Sequence, residues 1–166
     1  MLRLPPLFIN AFIQRREGRH IERHHNQPEQ RPELSLLDVM RGVESTPPGD
    51  LEWALHCTRQ QAVLLSLQLA GEGPPTLDRL ADAIGTPISI TPDLPTPSAA
   101  LYYPDGEAAI LVHEELGPED RVRAAVAAIK HHLDLPKRLS PGANGFTDSQ
   151  YAAIAEAFAD TVLGTE

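Results

Sequence analysis

The chain has 166 residues and a mass of 18.1 kDa, room for one domain and a tail. Its 42% apolar and 22% charged residues support a buried core, and with only 5% aromatics that core must be built from aliphatic side chains. One cysteine, Cys57, excludes an internal disulfide framework and any multi-cysteine zinc or iron–sulfur centre.

Charge is uneven along the chain. Residues 1–33 carry six arginines against four glutamates, a balance of +2, whereas residues 34–166 carry eight Lys/Arg against nineteen Asp/Glu, a balance of −11. So acidic a body repels phosphate backbones, and direct nucleic-acid binding by it is not expected. No apolar run approaches the roughly 20 residues that span a bilayer. Residues 7–13 are apolar but short, and lead into Arg15-Arg16 without a small-residue cleavage site. The expectation is a cytoplasmic protein with no membrane partner.

Residues 1–49 stand apart from the rest. Arg15-Arg16-Glu17-Gly18-Arg19-His20 and Arg23-His24-His25-Asn26-Gln27-Pro28 show no sustained apolar period, and Pro47-Pro48-Gly49 closes the segment. They read as a basic, Pro- and His-containing N-terminal extension, flexible or loosely docked. Two other readings stay open. One is an amphipathic segment built on Leu7, Phe8, Phe12 and Ile13 that contacts a partner or a membrane surface; the other is translation beginning at Met40. The domain proper is expected over 50–166.

Asp50 is a good N-cap for a first helix over 50–70, with Glu52 at its positive end. Leu51, Leu55, Ala62, Leu65 and Leu69 recur at helical spacing, and Val63, Leu64 and Leu67 cover the other side. Its second half should therefore be buried nearly all round. Gly71 and Gly73-Pro74-Pro75 end it, and Thr76 caps a short helix over 77–84 that stops at Gly85. Strand patterns follow at 88–90, 100–103 and 108–112, with a proline-rich connector at 92–97 and a Pro104-Asp105-Gly106 turn. They predict a small, mostly antiparallel three-stranded sheet.

Gly117-Pro118-Glu119-Asp120 opens the next helix, expected to end near Leu133 before Pro136. Val122, Ala125, Val126, Ile129 and Leu133 form its core stripe, and Ala124, Ala127, Ala128 and His131 a second face of small residues. Thr147 or Asp148 caps a last helix with Tyr151, Ile154, Ala155, Phe158 and Val162 on one side. Helix, helix, three strands, helix, helix makes an α+β domain.

From Gln61-Ala62-Val63-Leu64-Leu65 through the proline-marked short helix to Pro87-Ile88, the chain resembles the opening of ImmA/IrrE-type peptidase domains. Ala109-Ile110-Leu111-Val112-His113 resembles the strand before their active-site helix, residues 121–133 that helix, and 155–163 their closing helix. The likeness covers roughly 58–164. It implies a zincin-like minimal domain related to zinc endopeptidases with an H-E-x-x-H motif, a downstream glutamate ligand, and helix-turn-helix repressors as substrates.

The chemistry of that motif is degenerate here. Two histidines four apart on a helix clamp one ion, and the glutamate between them takes a proton from metal-bound water. The matching positions hold Ala127-Ala128-Ile129-Lys130-His131, and the downstream ligand falls on or near Ala152. Only His131 sits where a ligand belongs. Asp134, Glu156 and His113 are conceivable substitutes, but no paired spacing supports them. The simpler reading of His131-His132 is a helix C-terminus, where imidazoles meet exposed carbonyls.

Other catalytic signatures are absent: no Gly-x-Ser-x-Gly elbow, no phosphate-binding Gly-Lys-Ser/Thr loop, no dinucleotide fingerprint. Cys57 beside His56 reads as a half-buried structural cysteine, because helix neighbours point about 100° apart. Glu114-Glu115 and Glu119-Asp120 read as helix-dipole partners and solvated charge. No catalytic, cofactor-binding or metal-binding residue is assigned. The functional expectation is a catalytically degenerate regulatory or protein-binding module, possible partner a helix-turn-helix repressor. The alternative is a zinc-dependent endopeptidase with unorthodox ligands that cleaves such a repressor. Metal content discriminates between them.

Overall fold

The computed structural model describes residues 34–43, 50–71, 73–139 and 145–165. Its elements run α1 (Leu36–Gly42), α2 (Leu51–Leu69), α3 (Leu77–Ile84), β1 (Ile88–Thr91), β2 (Ser98–Tyr102), β3 (Ala108–His113), α4 (Pro118–Arg138) and α5 (Asp148–Leu163). The fold is α+β, as the periodicities require. α2 and α5 pack together, α5 also lies along α4, and α4 covers the sheet through β2 and β3.

Local chemistry sets the helix ends. Asp50 accepts from the Trp53 amide at 2.9 Å, and Thr76 and Thr147 accept from the amides of Arg79 and Gln150. α3 stops where Gly85 takes a left-handed φ of 65°, a conformation that costs glycine little. The Leu69 carbonyl at the end of α2 accepts from Arg79, which also donates to the loop carbonyls of Gly73 and Pro74.

The sheet order is β1-β3-β2, and the pairing is mixed rather than mostly antiparallel. β2 and β3 form the expected antiparallel hairpin, closed at Asp105-Gly106 with Gly106 at φ 90° and Tyr103 N donating to Glu107 O. β1, however, runs parallel to β3, with Ile88 opposite Ile110 and Thr91 opposite His113. The connector between β1 and β2 leaves a slot for β3, so it spans two strand spacings, about 9.5 Å. Six residues reach that easily. β3 is central, and Ala109, Ile110 and Val112 are buried on it.

Three expectations are corrected. First, α1 lies in what was read as extension, yet its Leu37 and Met40 sit in the core, and the compact unit begins at Glu33. A capping box holds it, with Ser35 Oγ accepting from the Asp38 amide while Asp38 accepts from Ser35. The readings of the arginine- and histidine-rich stretches before residue 34, and of Pro47-Pro48-Gly49, fall outside the described residues. Second, Val63 and Leu67 are 48% and 68% exposed, so α2 is buried on one side only. No element packs over that side among the described residues, and Gln60 and Gln68 are exposed beside them.

Third, α4 continues through Pro136 to Arg138. A proline removes the amide that would bond to the carbonyl four residues back, here that of His132. Arg41 of α1 supplies a donor instead, its Nη2 lying 3.5 Å from His132 O. His131 and His132 are therefore mid-helix residues rather than a C-terminal cap.

Candidate functional site

α4 carries the residues that matter, and it presents them in two directions. Ser98 of β2 fixes it to the sheet by donating to Ala124 O at 2.8 Å. On the side matched to the H-E-x-x-H motif, Ala124 and Ala128 are buried while Ala127 and His131 are half-buried. Val126 and Ile129, on the core stripe, are fully buried. Ala152, the position matched to the downstream ligand, is exposed on α5. The inward stripe of α5 is Tyr151, Ile154, Ala155, Phe158, Ala159 and Val162, and Ala152 lies about 100° round from Tyr151.

The substitute ligands are each engaged elsewhere. His113 ends β3 and its Nδ1 accepts from the Glu115 amide at 3.1 Å. Glu156 pairs with Arg123 at 3.0 Å, in a cluster where Arg123 also meets Asp160 at 2.8 Å and Thr165. Asp134 is bonded to Lys130. No group of three His, Cys, Asp or Glu side chains converges among the described residues. Burial, reinforced by Arg138, pushes the His131 pKa below its ordinary value, with Asp134 and Glu156 partly offsetting.

His132 is 6% exposed and shares a hydrogen bond of 3.0 Å between its Nδ1 and the Tyr102 hydroxyl, their rings 5.4 Å apart. Burial and the nearby Arg41 lower its pKa, and burial raises that of Tyr102.

The other direction holds a polar cluster inside the helical layer. Lys130 is 4% exposed, and its Nζ donates to Asp134 Oδ1 at 2.7 Å and to Gln61 Oε1 at 2.8 Å. Gln61 passes the chain on, donating from Nε2 to Met40 O at 2.9 Å. One network thus ties α4 to α2 and α1. Desolvation pushes the Lys130 pKa down, with Asp134 opposing it. Cys57 and Thr58 lie beside this network and are buried, Cys57 more fully than expected. His56, its neighbour, points outward, stacking on Trp53 and bonding to Gln60.

A groove of about 710 Å3 opens at the N-terminal end of α4. Pro74, Pro75, Leu77, Ile90 of the edge strand β1, Val122 and Leu163 give it an apolar lining. Glu119, Asp120, Arg121 and Arg123 line it as well, so its rim carries both signs of charge. Ile90 is 47% exposed there.

Sequence reasoning singled out His131 and passed over Lys130, which merely filled a variable position of the motif. Its signal was present: Lys130 and Asp134 are four apart, and Thr58 and Gln61 interrupt the buried stripe of α2. No protein-family model, curated protein or solved structure matches the chain.

Proposed function

We propose that the chain is a catalytically degenerate ImmA/IrrE-like domain working as a regulatory, protein-binding module. The observation that carries this reading is the combination on α4 of Ala127 and Ala128 at the first-ligand and general-base positions with an open apolar groove one to two turns away. Zinc hydrolysis needs three protein ligands and a base that moves a proton from metal-bound water. Alanine offers neither a lone pair nor a proton acceptor.

The groove supports binding without chemistry. β1 is an outer strand, paired with β3 among the described residues, and its Ile90 lies in the groove. Apolar walls beside an open strand edge suit a segment of another protein, docked as a helix or as an added strand. The occupant suggested by the resemblance is a helix-turn-helix repressor.

A two-hybrid screen against the helix-turn-helix regulators of the same genome tests this, with Ile90→Arg and Val122→Glu as groove variants. The reading expects a regulator whose binding both variants weaken at least tenfold while melting temperature holds. Zinc-dependent cleavage of a bound regulator would instead make the chain a peptidase with unorthodox ligands.

A further inference from the structure

Thr58 is 1% exposed, and its Oγ1 has no hydrogen-bond partner among the described residues. A hydroxyl left dry in a protein interior carries its full desolvation penalty, so such a group calls for a partner. Thr58 lines a cavity of about 30 Å3 together with Gln61, Lys130 and Asp134. Thr58 and Gln61 are three apart on α2 and share a face. Lys130 Nζ meets them from α4 with three donors, of which Gln61 Oε1 and Asp134 Oδ1 take two.

Size and polarity together identify the occupant. A water needs roughly 10–15 Å3 and two to four polar partners. The cavity has room for about two or three such molecules and excludes an organic ligand. Ala54, Ile154 and Phe146 contribute apolar lining, and Lys137 and Tyr151 complete the wall.

We infer that the cavity is an internal hydration site, in which an ordered water bridges Thr58 Oγ1 and Lys130 Nζ. The water completes the donor set of the buried ammonium and satisfies the threonine hydroxyl. It is the solvation that lets the Lys130–Asp134 pair sit inside the helical layer.

The test is water–protein NOE and ROE spectroscopy on the full chain, labelled with 15N-lysine. A long-lived internal water gives cross peaks of opposite sign in the two experiments, at the Lys130 ammonium. Thr58→Val, which keeps the side-chain shape, should erase the Lys130 peak and leave the melting temperature unchanged or lower. Thr58→Ser should retain the peak. Two results overturn the inference: no water cross peak at Lys130 in the unsubstituted protein, or a melting temperature that rises by several degrees in Thr58→Val. The spectrum of the unsubstituted protein decides even where a variant does not fold.

Discussion

Two neighbouring residues of α4 teach opposite lessons. His131 sits at the position of a metal ligand, is half-buried, and has alanine where its companions would be. Lys130, one residue earlier, is buried and bonded to two side chains on two helices. A hundred degrees of rotation separates a position that looks chemical in the sequence from one that holds three helices together. A polar side chain acquires its role from what the neighbouring element offers it, and only the packed structure reveals that.

The sharpest way to break this contrast is at the buried pair. Asp134→Ala leaves the Lys130 charge uncompensated, and the expected loss is about 3–5 kcal/mol. It is read as a lower urea midpoint at unchanged slope. Lys130→Met with Asp134→Leu removes both charges together and should recover most of that loss. A cost under ~1 kcal/mol for Asp134→Ala would mean that the pair is solvated from outside.

A smaller effect separates the two alanine positions that the motif match treats alike. Ala128 is 2% exposed, so Ala128→Leu overpacks the helix flank and should cost about 1–3 kcal/mol. Ala152 is exposed, and Ala152→Leu should stay within ~0.5 kcal/mol of the parent. Equal costs would mean that Ala152 does face α4.

The smallest effect is in pH. Both histidine pKa values are lowered in the fold, so as pH falls the unfolded chain takes up protons first. Their contribution is complete above about pH 6.5 and declines as pH drops from there through the folded values. Asp160, held low by Arg123, contributes above the ordinary carboxylate range and loses its share only in stronger acid. His132→Phe should therefore flatten the upper part of the acid decline and leave the lower part. A decline that persists unchanged would remove His132 from the account.

Much of the fold was legible because caps and turns are local. Asp50, Thr76, Gly85, the Asp105-Gly106 turn and Thr147 all mark their elements, and boundaries shift by only a few residues. α1 was legible too, in Ser35-x-x-Asp38 with Leu37 inside it and Met40 just after, but the proline- and arginine-rich flanks hid it. The parallel pairing of β1 was not, since register between distant strands is a property of the sheet and not of either segment. Nor was the passage of α4 through Pro136, where the His132 carbonyl meets a donor from Arg41, ninety-one residues before that histidine. The polar network failed to show for the same reason: Gln61 and Lys130 are sixty-nine residues apart.

The central claim is that the motif-matched side of α4 serves packing, without metal chemistry. The most direct measurement is the melting temperature of chelator-stripped protein titrated with zinc, run in parallel on His131→Ala. The account predicts no zinc-dependent rise in either protein, because a single imidazole flanked by Ala127 and Ala128 gives zinc too few ligands. A rise of several degrees at stoichiometric zinc that His131→Ala abolishes would contradict it.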